Sequence, residues 1–144
     1  MLRVMRALLA VLLLVSTVGD AFAGSAALER GADGHWRADA RVNGRRVNVM
    51  VDTGATLVAL THEDAKAIGI DVRNLRYDAR VRTASGTARA ATITLERIQI
   101  GNVRVRDVEA MVIEHGLDVS LLGMSFLSRL EQFDVRGQTL RLRD

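Results

Sequence analysis

The chain has 144 residues and a formal net charge of +3, from 20 lysine and arginine residues against 17 aspartate and glutamate residues. It contains no cysteine, which excludes disulfides, thiolate zinc sites and a cysteine nucleophile. Aromatic residues make up 3% of the chain, too few for a base-stacking platform, so we expect no nucleic-acid partner. With 49% hydrophobic residues, the chain is long enough and apolar enough to form one folded domain.

Residues 1–23 have the pattern of a secretion signal. Arg3 and Arg6 precede an apolar run over 7–18 that is short for a membrane span, and an A-x-A cleavage motif occupies 21–23. The pattern predicts export, to the periplasm or outside the cell. The alternative is that the run over 7–18 is retained and anchors the protein in the membrane.

The remaining chain divides into a leader over 24–34 and one domain over 35–144. The leader is small, polar and glycine-bearing, which predicts a flexible segment. Hydrophobic residues then alternate with polar ones through 36–42 and 47–51, as in strands that bury one face. Between these two runs lies Asn43-Gly44, the dipeptide most typical of a two-residue hairpin turn.

Strand patterns dominate the rest of the domain, with two short helices between them. Thr61 and Gly69 predict the start and the end of a helix over 62–68, and helical spacing returns over 124–130. No strand–helix–strand rhythm is present. The pattern predicts an all-β fold, a small closed barrel or folded sheet with one or two short helices.

One acidic residue stands at the end of an apolar strand, where burying its charge is costly. Asp52 is followed by Thr53, Gly54, Ala55 and Thr56. The two hydroxyl groups can hydrogen-bond, and glycine lets backbone N–H groups approach a carboxylate closely. The motif therefore favours a carboxylate held in a defined orientation. An ordinary turn in which Asp52 bonds its own backbone is the alternative.

Three motifs in the same order resemble the retropepsin-like aspartic proteases, in particular the single-domain bacterial type. They are DTGAT at 52–56, TASG at 83–86 and LLGMSFL at 121–127. Together they extend the resemblance from about residue 35 to the C-terminus. The resemblance implies the small closed β-barrel of that family and an aspartic endopeptidase activity.

Residue roles follow from this resemblance. Asp52 matches the catalytic aspartate, and the residues that match its support are Thr53, Gly54, Ala55 and Thr56. The Thr53 hydroxyl would join the two active-site loops of a dimer, and the Thr56 hydroxyl would bond the outer oxygen of the carboxylate. The flap over the substrate matches Thr83, Ala84, Ser85 and Gly86. The scaffold beneath the active site matches Leu121, Leu122 and Gly123.

A single Asp-Thr-Gly motif requires a second copy of the chain, because the chemistry uses two carboxylates that share one proton. Asp134 lacks an adjacent hydroxyl residue and is interpreted as part of a surface turn. We therefore expect a homodimer with an Asp52 dyad, a peptide or protein substrate, and no metal or cofactor. The terminal strand over 140–142 either contributes to the dimer sheet or pairs within its own protomer.

A different class of function stays open at this point. The same fold could serve as a non-catalytic, dimeric peptide-binding module. His35, His62 and His115 are far apart and lack the spacing of metal ligands, so neither alternative requires a metal site.

Overall fold

The computed structural model describes residues 24–144, so the predicted signal segment over 1–23 lies outside the described residues. Ten strands and two α-helices are present in this part of the chain. The strands are β1 (Ser25–Glu29), β2 (Arg37–Val42), β3 (Arg45–Val51), β4 (Val58–Leu60), β5 (Ala79–Thr83), β6 (Gly86–Ile100), β7 (Val103–Ile113), β8 (Ser120–Leu122), β9 (Gln132–Arg136) and β10 (Thr139–Arg143). The helices are α1 (His62–Ala67) and α2 (Met124–Leu127). Within residues 24–144, no helix has the length and apolar composition needed to cross a membrane.

Six strands close into a barrel. Their order is β2-β3-β8-β4-β7-β6, and β6 pairs back with β2 to complete the ring. β5 lies outside the ring and pairs only with β6, so that the two strands extend as a hairpin arm. The predicted all-β barrel with two short helices is confirmed.

Period-two alternation builds the barrel wall. Ala38, Ala40 and Val42 are buried in β2, as are Val47 and Val49 in β3, while the residues between them in β2 are exposed. The turn between these strands has positive φ angles of 48° and 84° at its Asn-Gly pair, and this confirms the predicted hairpin.

Both helices pack against β4 and β7 of the barrel. The hydroxyl group of Thr61 accepts a hydrogen bond from the Asp64 N–H at 3.0 Å, and Gly69 follows α1 with a φ of 91°, as the sequence predicts. Helix α2 is shorter than the predicted 124–130. Its last turn tightens into bonds between residues three apart, such as Leu130 N–H to the Leu127 carbonyl, before the chain enters β9.

Both ends of the described chain meet in a separate three-stranded sheet of order β1-β10-β9. The prediction of a flexible leader over 24–34 is wrong for residues 25–29, which form β1 and pair with β10. Ala26 and Leu28 on this strand pack against the core, and this alternation outweighs the small residues around them. β10 therefore lies between β1 and β9 and pairs within its own protomer.

Candidate active site

The loop after β3 carries Asp52, and backbone hydrogen bonds fix its conformation. The Asp52 N–H donates to the Leu122 carbonyl at 3.1 Å, and the Ala55 N–H donates back to the Asp52 carbonyl at 3.2 Å. The Gly54 N–H donates to Asp52 Oδ1 at 2.8 Å, which fixes one oxygen of a half-buried carboxylate. The other oxygen receives no hydrogen bond within residues 24–144. The loop thus presents an oriented carboxylate with one oxygen available for chemistry.

The start of α2 supports this loop from beneath. The N–H groups of Met124 and Ser125 donate to the carbonyls of Ala55 and Thr56 at 2.8 and 2.9 Å. Gly123 permits this approach, because a Cβ atom there would lie 2.2 Å from the Leu57 carbonyl oxygen. Any side chain at this position would therefore push the aspartate loop away from its support.

A cleft of about 620 Å³ opens above Asp52. It lies between the aspartate loop, the β5–β6 hairpin and the loop over 114–119 that follows β7. Most of its lining side chains are apolar, and they include Met50, Leu57, Val81, Met111, Ile113, Leu117, Val119 and Leu121. An apolar groove with a carboxylate in its wall is suited to an extended peptide with apolar side chains.

The tip of the β5–β6 hairpin closes one side of the cleft. Thr83 and Gly86 face each other across this turn, and the Thr83 hydroxyl group donates to the Gly86 carbonyl at 2.9 Å. The Ser85 hydroxyl group donates to the Gly116 carbonyl at 2.9 Å. The hairpin tip is thereby fastened to the loop on the other side of the cleft.

The structure brings most of the predicted site residues to one cleft. The lining includes Asp52, Gly54, Ala55, Thr56, Thr83, Ala84, Ser85 and Leu121. Leu122 and Gly123 are buried beneath the aspartate loop, whereas Thr53 is exposed and Gly86 forms the hairpin turn outside the lining. Among residues 24–144, the side chains of Thr53 and Thr56 make no hydrogen bond to Asp52.

Sequence patterns missed the loop that faces the hairpin tip. Gly116, Leu117 and Asp118 line the cleft, yet they lie in no motif and in no periodic segment. Asp118 is exposed and has no ion-pair partner within residues 24–144. The only available signal was the glycine at 116, whose φ of 84° marks a turn between two apolar runs.

Comparison with known proteins identifies the family. The family model described as "gag-polyprotein putative aspartyl protease" matches residues 38–129. A crystal structure of a retropepsin-like aspartic protease from Rickettsia conorii has 40% sequence identity and a TM-score of 0.76, and the match covers 84% of this chain and 91% of that one. The EIAV protease, at 17% identity and a TM-score of 0.55, shares the fold over 69% of this chain and 90% of its own.

Curated sequences extend the similarity without adding a function. An uncharacterized protein from the cobV 5' region of Sinorhizobium is 48% identical over 118 residues, which are 81% of this chain. The chain spans about half the length, 51%, of the curated relatives it matches. The family match, the similarity to the Rickettsia conorii protein and the closed barrel agree: the chain belongs to the retropepsin-like aspartic protease family.

Proposed function

We propose that the protein is an exported aspartic endopeptidase that acts as a homodimer, with the Asp52 carboxylates of two copies forming one catalytic dyad. The observation that carries this proposal is the Asp52 carboxylate, oriented by the Gly54 N–H in the wall of an apolar cleft. One protomer supplies a single Asp-Thr-Gly loop, and a twofold axis beside that loop would supply the second. Export rests on the sequence pattern of residues 1–23.

The reaction would be hydrolysis by an activated water molecule. The water oxygen attacks the carbonyl carbon of the peptide, and the ionised Asp52 of one copy takes a proton from this water molecule. The other Asp52, which is protonated, donates a hydrogen bond to the carbonyl oxygen and stabilises the developing charge. Collapse of the tetrahedral intermediate breaks the C–N bond, and a carboxyl group protonates the departing nitrogen.

The substrate would be an extended polypeptide lying beneath the β5–β6 hairpin. Successive side chains of an extended chain point in opposite directions, so alternate residues can enter the apolar lining of the cleft. This favours cleavage between apolar residues.

Replacement of the catalytic group tests the proposal directly. Asp52→Asn keeps the size of the side chain and removes its ionisation, so we expect cleavage of a broad peptide library to fall by at least about a hundredfold. The matched control is Asp78→Asn, because the Asp78 carboxylate is exposed and lies 3.7 Å from the Arg76 guanidinium. This variant should keep full activity. Peptide binding without cleavage by the unmodified chain would support the non-catalytic binding module instead.

A mixing experiment tests whether the dyad is shared. Wild-type chain is equilibrated with an increasing excess of Asp52→Asn chain at constant total concentration. A shared dyad predicts that activity falls as the square of the wild-type fraction, because mixed dimers hold one carboxylate. A linear fall would show that one protomer works alone and would reject the shared dyad; Asp118, which lines the same cleft, would then be the next carboxylate to replace.

A further inference from the structure

The two ends of the described chain are joined through the Asp144 side chain. The Gly24 N–H donates to Asp144 Oδ1 at 2.5 Å, and the Arg104 N–H donates to Asp144 Oδ2 at 2.6 Å. In return, the Asp144 N–H donates to the Gly24 carbonyl at 3.2 Å. Both carboxylate oxygens are therefore occupied, and they hold the start of β1 to the end of β10 and the start of β7.

Gly24 is enclosed where it meets this carboxylate. It is buried, and a Cβ atom on it would lie 2.0 Å from the Asn102 carbonyl oxygen in the turn between β6 and β7. A larger residue at this position would therefore force the backbone to shift. The packing thus fixes the Gly24 nitrogen beside Asp144.

Gly24 is also the residue that the sequence pattern places at a new N-terminus. The A-x-A motif at 21–23 predicts cleavage between Ala23 and Gly24. Before cleavage, the Gly24 nitrogen is an uncharged amide with a single N–H group. Hydrolysis of this peptide bond consumes one water molecule, gives Ala23 a carboxylate and leaves Gly24 with an α-ammonium group. Cleavage would thus create a positive charge within hydrogen-bond distance of Asp144.

We propose that the Gly24 α-ammonium group of the processed chain forms an ion pair with Asp144, so that removal of residues 1–23 stabilises the terminal sheet. This inference rests on the predicted cleavage after Ala23 and is independent of the proposed protease activity. An ammonium group adds Coulomb attraction to the hydrogen bond that an amide already makes with a carboxylate. Asp144 is only half-buried, which limits the cost of removing the pair from water.

The other charged side chains around Gly24 leave Asp144 as its partner. Arg104 on β7 and Arg143 on β10 are both exposed, and Arg143 bonds Glu131 at 3.3 Å. Solvent screens these exposed cations, so they weaken the attraction little. Within residues 24–144, no other carboxylate receives a hydrogen bond from Gly24.

Acetylation of the new N-terminus isolates the charge. The processed chain over 24–144, which holds every element of the described fold, is prepared with a free Gly24 amine and with an acetylated one. The acetylated form keeps the N–H donor and carries no charge. At about pH 6.5 we expect the unfolding equilibrium constant of the free-amine chain to be about fivefold smaller. Equal constants would overturn the proposal.

The effect of acetylation should depend on pH. The α-amino group of an unfolded chain has a pKa of about 7.7–8.0, and an ion pair raises this pKa in the folded chain. The stabilisation is then complete below the unfolded pKa and is lost as pH rises through the folded pKa. A difference between the two chains that persists in strong alkali would contradict an ion pair.

Matched chains separate this ion pair from a general effect of charge. In Asp144→Asn, acetylation should change the unfolding constant by less than about twofold. Asp107→Asn removes an exposed carboxylate without an ion-pair partner within residues 24–144, and here the full effect of acetylation should remain. A chain that begins at Ala23 carries its amine one residue further out and should resemble the acetylated chain. An effect of acetylation that survives Asp144→Asn would overturn the proposal.

Amine labelling detects the contact in the folded protein. Lys66 is the only lysine in the sequence, so the processed chain has two amines. An unrestrained α-amino group is the more reactive at neutral pH, because its pKa is about 7.7–8.0 against about 10.4 for lysine. Since Gly24 is buried and Lys66 is exposed, we expect Lys66 to react first in the folded chain and Gly24 to react first in denaturant. Faster labelling of Gly24 in the folded chain would refute the ion pair.

Peptide cleavage measured on the same samples separates the two proposals. An effect of acetylation that requires Asp144, in a chain that cleaves no peptide, upholds the ion pair and rejects the protease activity. Cleavage that depends on Asp52, in a chain whose stability is unaffected by acetylation, does the reverse.

Discussion

The hydroxyl group of Ser120 joins β8 to the start of α1. It accepts the Thr61 N–H at 3.0 Å and donates to Asp64 Oδ2 at 2.5 Å, and Ser120 itself is fully buried. These bonds tie the start of α1 to β8, the strand that leads into the support of the aspartate loop. The side chain therefore stabilises both the fold and the position of Asp52.

We expect Ser120→Ala to lower the free energy of unfolding by about 1–3 kcal/mol, because two polar groups lose their partner inside the protein. Denaturant unfolding measures this change. Ser128→Ala is the matched control, since the Ser128 hydroxyl group is exposed and bonds only the Met124 carbonyl. A loss no larger than that of the control would contradict the role of Ser120.

Asp39 makes the stability of the β2–β3 hairpin depend on pH. Hydrogen bonds from the Arg46 guanidinium and the Asn48 amide hold the pKa of the Asp39 carboxyl below its usual value of 3.8. A carboxyl whose pKa is lower in the folded state stabilises the protein above the unfolded pKa, and this stabilisation is lost as pH falls through the folded pKa. The folded hairpin thus favours the ionised form.

Asp39→Asn should therefore lower the thermal unfolding midpoint slightly at neutral pH and leave it unchanged in strong acid, below the folded pKa of Asp39. Unfolding is recorded for both chains across this range. The effect is small, because the Asp39 side chain is 51% exposed and solvent screens the pair. A difference that grows as the solution is acidified would refute the assignment.

At the scale of elements, the β5–β6 hairpin and the loop over 114–119 line the same cleft and meet at the hairpin tip. The Ser85 hydroxyl group, which donates to the Gly116 carbonyl, is the side-chain hydrogen bond that joins them. Without it, the hairpin tip over 83–86 has no side-chain hydrogen bond to that loop within residues 24–144, and the Arg89–Glu114 ion pair at 3.6 Å lies nearer the barrel.

Ser85→Ala should speed amide hydrogen exchange over residues 83–87 by up to roughly tenfold, since one exposed hydrogen bond contributes about 1 kcal/mol. Thr87→Ala, on the same hairpin, is the control because its hydroxyl group makes no hydrogen bond within residues 24–144. Unchanged exchange in Ser85→Ala would mean that the bond does not restrain the hairpin.

Elements whose signals are local could be predicted from the sequence, and those set by distant contacts could not. The Asn43-Gly44 turn and the Thr61 cap act over a few residues, so their residue types sufficed. The parallel pairing of β3 with β8 joins strands far apart in the chain and leaves no local pattern. For the same reason DTGAT at 52–56 indicated the aspartate loop, whereas the facing loop at 116–118 was missed.

At the scale of the molecule, β1 completes the terminal sheet. Deleting residues 1–30 removes β1 and uncovers one flank of Leu140 and Leu142, which are 3% and 1% exposed. We expect this truncation to lower the free energy of unfolding by about 2–4 kcal/mol relative to a chain that lacks only residues 1–23. Equal stability of the two truncated chains would show that β1 contributes little and would favour a flexible leader.

The terminal strand β10 pairs on both edges with strands of its own chain, so a single protomer completes its terminal sheet without a partner. Folding then does not depend on meeting a second molecule, whereas the proposed shared dyad would make turnover depend on one. If the proposed dimer is required, cleavage rates at low protein concentration would rise with the square of that concentration, and dilution would keep the newly made polypeptide inactive. Under the same proposal, an increase in protein concentration would by itself be enough to start turnover.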